Sequence, residues 1–421
     1  MAKKTPRPHV TIRMVKEAHE CLRGIANETP LQFSTGLSEK HGAKVYLKRE
    51  DLQIVRSYKL RGAFNRMRHL TLAERKHGIV CASAGNHAQG VAYSCRALKM
   101  RGSIFMPRNT PRQKVDRVRV LGNSWVDVKL VGDTFDEAHA SAYAHASKKG
   151  ITFVHPFNDP MVIAGQGTVG VEILQQLGAF PDYVLVPVGG GGLVAGLGTY
   201  LSHKSPKTKI IGVEASGAAG MHASLKAGKV VRLKAIDTFV DGAAVKCIGD
   251  VAFSLAKKVI DRVVLVPEGR VCQEMIALYQ QEGIVTEPAG ALSIAALDQL
   301  GGSLRGKTVV CVVSGGNNDI SRYPEVIERS LVYQGLKHYF IITFSQRPGT
   351  LKRYLNEALG PNDDITLFEY VKKNNRESGP ALVGIELTRK ENLAPLMKRM
   401  KKIGMSYELL PPESAIFRFL T

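Results

Sequence analysis

As far as Tyr333 the chain alternates short apolar runs with longer stretches of helical period. Ile12 to Gly24 reads as an amphipathic helix stopped by glycine, and Thr29-Pro30-Leu31 as the extended lead-in to a first strand. Strand-like runs follow at Lys44–Lys48, Gly78–Ala82, Gly102–Pro107 and Val126–Leu130. Ile151–Val154 opens a second set, continued by Tyr183–Val188, Lys209–Glu214 and Thr308–Val313. Helical segments follow Lys59, span Ala88–Leu98, and begin at Arg112, after Gly165-Gln166-Gly167-Thr168, and at Leu193. Such alternation predicts parallel sheets with crossover helices. It gives two α/β lobes with a cleft between them, the smaller over roughly residues 60–155.

Beyond Gln334 the pattern changes. Strands at His338–Phe344, Ile365–Val371, Ala381–Leu387 and Tyr407–Leu410, with helices at Pro348–Leu359 and Ala394–Ile403, give the order β-α-β-β-α-β of a ferredoxin-like unit. The expected division is therefore residues 1–333 and a separate α+β domain over 334–421.

Length adds only that 421 residues exceed one ordinary core. No run of about 18 uncharged apolar residues predicts a membrane span. Met1–Pro6 lacks the apolar centre of a secretory signal. Cys21, Cys81, Cys95, Cys247, Cys272 and Cys311 fall singly, without metal-site spacing, as in a reduced cytoplasmic protein. The net charge of +21 raises nucleic acid as a partner, but the basic runs at Arg96–Arg119 and Lys398–Lys402 carry no series of interleaved stacking aromatics, Phe105 alone falling in a strand-like run, and no zinc spacing or helix-turn-helix pattern. A solvated basic face accounts for them, with neither nucleic acid nor membrane expected.

Candidate chemistry lies in the loops after the strands, where open α/β sheets bind ligands. Lys59 stands between Tyr58 and Gly62 at a helix start, and a lysine amine can bind a carbonyl cofactor covalently. Gly189-Gly190-Gly191-Gly192 precedes a helix at Leu193, whose freed N–H groups and dipole suit a phosphate. Gly190, Gly192 and Ala195 also fit a loose dinucleotide fingerprint, with Glu214 as ribose ligand, so a nicotinamide enzyme stays open. Asn86 and Ser314 occupy two further glycine-containing loops, able to bond a ring hydroxyl and a ring nitrogen. Together with Lys59 they describe pyridoxal phosphate (PLP).

Six motifs, Lys48–Gln53, Ser57–Ala63, Ser83–Gly90, Gly189–Leu193, Glu287–Gly290 and Ser314–Asn318, together resemble threonine dehydratase of the biosynthetic type. The resemblance implies the PLP-dependent tryptophan synthase β-like fold, with a C-terminal ferredoxin-like, ACT-like regulatory domain. It implies that Lys59 holds the cofactor and acts as catalytic base, and that Asn86 meets the ring hydroxyl. It implies further that Gly189, Gly190, Gly191, Gly192 and Leu193 cradle the phosphate and Ser314 meets the pyridine nitrogen. Ser83, Ala84, Gly85, Asn86 and His87 would hold the substrate, while His87 and Glu287 could equally buttress a loop. The implied reaction turns L-threonine into 2-oxobutanoate and ammonia in a homotetramer, with isoleucine inhibiting through the tail and valine opposing it. L-serine dehydration on the same fold, and a non-catalytic amino-acid sensor, are the alternatives.

Three departures stand out. Tyr58 occupies a position where the family often has phenylalanine. Ala84 replaces the serine that acts as second base in the related serine racemases, which implies elimination without racemisation. Glu214 is followed six residues later by Gly220, not by the aspartate that completes a divalent-cation site in those relatives, so no metal is expected.

Overall fold

The computed structural model describes residues 9–371, 376–412, 414 and 417; Met1–Pro6, read above for a secretory signal, lies outside them. Strands β1 (Leu31–Phe33), β2 (Lys44–Arg49), β3 (Ile79–Ala82), β4 (Gly102–Met106), β5 (Val126–Leu130) and β6 (Thr152–Phe153) come first. Next are β7 (Tyr183–Pro187), β8 (Lys209–Ala215), β9 (Arg262–Val266) and β10 (Thr308–Val313). Last come β11 (Lys337–Ser345), β12 (Asp364–Tyr370), β13 (Ser378–Glu386) and β14 (Ser406–Leu409). They form three sheets, ordered β1-β2-β10-β7-β8-β9, β5-β4-β3-β6 and β12-β13-β11-β14.

The first two sheets are parallel except for β1, which runs antiparallel to β2. Strands β7 and β10 are buried on both faces, which is why they read as unbroken apolar runs. Val184, Val186, Val310 and Val312 pack with Ile163, Val194, Leu197 and Ala252 in one core. A separate core joins Ile79, Cys81 and Ile104 to Leu60, Phe64, Val91 and Val115, and makes the smaller lobe.

Two details of the reading need correction. Thr152–Phe153 does not begin the second set of strands but closes the small sheet, pairing with Ile79 and Val80 of β3, inside the span of roughly 60–155 expected for the smaller lobe. Ile151 and Phe153 pack there against Val80, Ala82 and Phe105, a tertiary contact that strand periodicity does not reveal. The Gly165–Thr168 stretch does not precede a helix either; it lies inside one, Pro160–Leu177, capped by the Asp159 side chain. Its glycine is a packing device: a Cβ on Gly165 would lie 2.5 Å from the Arg61 carbonyl oxygen, so only glycine lets this helix approach helix Lys59–Arg68.

Contacts divide the chain into Met1–Glu268 with Ala277–Asp319, and Gly269–Ile276 with Ile320–Thr421. Helix Tyr323–Tyr333, placed in the first domain on sequence, thus groups with the tail. In that second unit β11 pairs antiparallel with β13 and β14, and β13 with β12. Tyr354 of helix Thr350–Glu357 and Leu396 and Met400 of helix Leu393–Lys402 cover Phe340, Ile342, Val383 and Ile385. This is the split βαβ arrangement read from the pattern.

Candidate active site

The segment before Lys59 is held by the end of β10. Ser57 bridges to Gly315, the Tyr58 N–H donates to the Ser314 carbonyl at 3.2 Å, and the Gly316 N–H donates to the Arg56 carbonyl at 2.9 Å. The helix then starts at Lys59 itself, and its packing on helix Asn86–Leu98 is close: a Cβ on Gly90 would stand 3.1 Å from the Lys59 carbonyl. The Lys59 side chain is half-buried, its Nζ 3.4 Å from the Pro156 carbonyl and 5.1 Å from the centroid of the Tyr58 ring.

Directly behind that first turn lies a buried ionic group that sequence reasoning missed. The Arg61 guanidinium forks onto Glu50, with Nε and Nη2 each 2.8 Å from a carboxylate oxygen. It also reaches both oxygens of Glu172, at 2.5 and 2.8 Å. Lys48 Nζ donates to Glu172 at 2.5 Å and to the Thr29 carbonyl at 2.6 Å, and the Thr29 hydroxyl donates to Glu50 at 2.5 Å. All four charged residues are buried, and two cations face two anions. Burial alone disfavours the Arg61 charge and would neutralise Glu50, but their mutual attraction prevails, raising the arginine pKa and lowering that of Glu50. The detectable signal was an arginine two positions after Lys59 in an otherwise core-facing helix.

After β7 the chain turns through Gly189–Gly191 into helix Gly192–Lys204. Gly191 has φ +88°, a left-handed conformation that glycine adopts without strain. A Cβ on Gly190 would fall 2.2 Å from the Phe157 ring, so side chains here would fill the space around the loop. Among the described residues, the backbone N–H groups from Gly189 to Leu193 find no protein acceptor. Five free donors at the head of a helix fit a phosphate ester, and Pro156–Phe157 joins this loop to the Lys59 amine.

The loops after β3 and β10 meet through side chains. Asn317 Nδ2 donates to Asn86 Oδ1 at 2.7 Å and to the Val55 carbonyl at 2.8 Å, while Asn86 Nδ2 donates to Glu287 Oε1 at 2.7 Å. Burial, reinforced by the charge of Asp241, pushes the Glu287 carboxyl up to about 7. The buried Ser314 hydroxyl donates to the Ala289 carbonyl at 3.2 Å. Ser83 Oγ accepts from the Gly85 N–H at 3.2 Å, shaping the turn that contains Ala84 and leads into helix Asn86–Leu98. His87 points the other way: its ring is buried, Nε2 lies 2.9 Å from the Val154 carbonyl, and burial lowers its pKa to about 3. It is a neutral ring braced against the segment after β6.

The structure therefore brings Lys59, Asn86, the glycine loop and Ser314 to the carboxyl ends of β3, β7 and β10, and turns His87 aside. Glu214 does not face a ribose; its carboxylate accepts the N–H groups of Met221 and His222 at 2.7 and 2.8 Å.

Residues 22–315 match the family described as pyridoxal-phosphate dependent enzyme, and residues 328–420 match the C-terminal regulatory domain of threonine dehydratase. The chain is 52% identical over 411 residues to L-threonine dehydratase biosynthetic IlvA of Bacillus subtilis, covering 98% of this chain and 97% of the relative. It is 51% identical over 415 residues to that of Mycobacterium leprae, with 98% and 97% covered. The structure of processed threonine deaminase isoform 2 from Solanum lycopersicum superimposes with a TM-score of 0.72 at 40% identity, over 77% of this chain and 96% of that one. Maize serine racemase follows with 0.71 at 27% identity, over 77% and 98%. The chain belongs to the PLP-dependent enzymes of tryptophan synthase β-like fold, and among them to the biosynthetic threonine dehydratases.

Proposed function

We infer that this chain deaminates L-threonine to 2-oxobutanoate and ammonia by PLP-dependent β-elimination, as the committed step toward isoleucine. The observation that carries this reading is the run of free N–H donors at Gly189–Leu193, joined through Phe157 and Pro156 to the Lys59 amine. Bound covalently through Lys59, PLP supplies an electron sink for the bond broken at the substrate α-carbon. The free N–H groups of the glycine loop and Leu193 would hold its phosphate, Asn86 would meet its ring oxygen, and the neutral Ser314 its ring nitrogen. Ser83, Ala84, Gly85 and Asn86 receive the substrate carboxylate, on a turn already shaped by the Ser83 hydroxyl. The Lys59 amine, beside the Tyr58 ring and the Pro156 carbonyl, would take the α-proton of bound threonine, and the β-hydroxyl would be protonated and leave as water. Ala84 offers no second base on the opposite face, so the proton is not returned there. The test is Lys59→Ala: a yellow parent, bleached by hydroxylamine, becomes a colourless variant that forms no 2-oxobutanoate, and normal turnover by the variant would overturn the assignment.

The second unit is the regulatory element of the same enzyme, working in the cytoplasm as a homotetramer. A pocket of about 310 Å³ there is lined by Phe344, Gln346, Arg347, Gly349, Phe368 and Tyr370. Its aromatic walls suit a branched aliphatic side chain and Arg347 a carboxylate, which supports isoleucine as inhibitor and valine as its competitor. Inhibition requires that isoleucine bind the less active of two states more tightly.

A further inference from the structure

The amide of Asn86 has one oxygen that accepts and two hydrogens that donate, and its surroundings decide which way it faces. Asn317 Nδ2 lies 2.8 Å from the Val55 carbonyl oxygen, which can only accept, so Asn317 must present nitrogen on that side. Its second hydrogen goes to Asn86 at 2.7 Å, and the Asn86 atom it meets must then be oxygen. Asn86 Nδ2 is thereby turned toward Glu287, and gives one hydrogen to Oε1 at 2.7 Å. Its other hydrogen has no protein acceptor among the described residues. The Asn317 backbone is itself fixed: the Gly316 N–H donates to the Arg56 carbonyl at 2.9 Å, and a Cβ on Gly316 would stand 2.8 Å from the Val285 carbonyl.

We propose that Asn317 is a positioning residue that locks the Asn86 amide with a free N–H toward the ligand, so that the cofactor ring oxygen is received as an ionised acceptor and not as a hydroxyl donor. The proposal rests on the PLP reading of the site. Donation to an ionised oxygen favours that form and lowers its pKa, whereas an amide free to rotate presents oxygen part of the time and removes the bias. The chain thus sets the protonation state of a group it does not itself supply, through a residue that does not touch it.

The experiment is a spectrophotometric pH titration of the holoenzyme beside Asn317→Ala, Asn86→Ala and the double variant, with cofactor affinity measured on each. Asn317→Ala is expected to hold PLP about tenfold less tightly. The midpoint of its visible absorbance change should move up by about one pH unit. In the Asn86→Ala background the same substitution should change neither quantity, because its effect passes through the missing amide. A titration identical to the parent's, or an equal shift with and without Asn86, overturns the proposal. Should Asn317→Ala fail to fold, Asn86→Asp keeps an acceptor for Asn317 but offers no N–H; its midpoint should also rise, and a parental midpoint is again a refutation. A parent without any visible band bleached by hydroxylamine removes the PLP reading and the proposal together, an outcome distinct from coloured variants that titrate alike.

Discussion

Replacing Glu172 by glutamine tests whether the buried ionic group supports the catalytic lysine. The substitution keeps the shape of the side chain but removes one of two negative charges facing Lys48 and Arg61. Glu172 accepts three charge-assisted bonds, at 2.5, 2.8 and 2.5 Å, and the single acceptor oxygen of glutamine cannot keep all of them. What remains is an uncompensated positive charge among side chains that are almost completely buried. Breaking a pair of this kind costs about 3–5 kcal/mol, a large part of the roughly 5–15 kcal/mol that separates folded from unfolded protein. With a urea slope of about 3 kcal/mol per molar, the unfolding midpoint of the PLP-saturated enzyme should fall by about 1 M or more at constant slope. Adding Lys48→Met restores neutrality and should recover about half of the loss, since removing both partners is far less costly than removing one. Because Arg61 stands one half-turn after Lys59, kcat should also drop about tenfold through misplacement of the amine. A loss below about 1 kcal/mol, or a double variant that costs the plain sum, would refute this account of the first turn.

Glu287 prefers the protonated form when folded, with its pKa raised by burial from 4.5 to about 7, so its contribution to stability is complete below 4.5 and is lost as pH rises through 7. Glu287→Gln should flatten the pH dependence of the melting temperature in that window, and an unchanged profile would count against the buried acid. His87 has the opposite sign: lowered by burial from 6.5 to about 3, it stabilises above 6.5, and this is lost as pH falls toward 3. In His87→Gln the acid side of the stability profile should be shallower, with kcat/KM changed less than by any substitution of Lys59. Incubation with L-threonine in deuterated water should yield 2-oxobutanoate without D-threonine or D-allothreonine, as chiral chromatography would show; appreciable D-product would contradict the role given to Ala84. Thr350→Trp, which fills the pocket of the second unit, should abolish inhibition by isoleucine while leaving the uninhibited rate nearly intact. Retained inhibition would place the effector elsewhere.

Local pattern was enough for most of the architecture. Strands such as β7 and β10 announce themselves because a strand buried on both faces must be apolar throughout, and the tail shows its order because each element alternates at its own period. The loops that carry the site were legible for a related reason: glycines before a helix and a lone lysine at a helix start are local requirements of phosphate binding and covalent attachment. The misreadings arose where a residue answers to something distant. Gly165-Gln166-Gly167-Thr168 read as the lead-in to a helix, but the missing side chain of Gly165 answers to the Arg61 backbone on another helix. Thr152–Phe153 read as the first of a second set of strands, though its partner strand lies some seventy residues earlier, and only the closed sheet assigns it.

The division between the two kinds of information runs through the site itself. By itself the sequence determined which chemical groups are available, namely one lysine, a run of glycines, an asparagine and a serine just past strand ends. Tertiary structure alone decided their states. Arg61, in the first turn after Lys59, is held in a charge group with Lys48, Glu50 and Glu172, and Asn86 is oriented by Asn317 and Glu287 more than two hundred residues away. His87, a neighbour of Asn86 in the chain, is turned from the site and neutralised by burial. Residue type is local, whereas solvation, hydrogen-bond direction and pKa depend on what the fold brings within about 3 Å, and no local pattern encodes that neighbour.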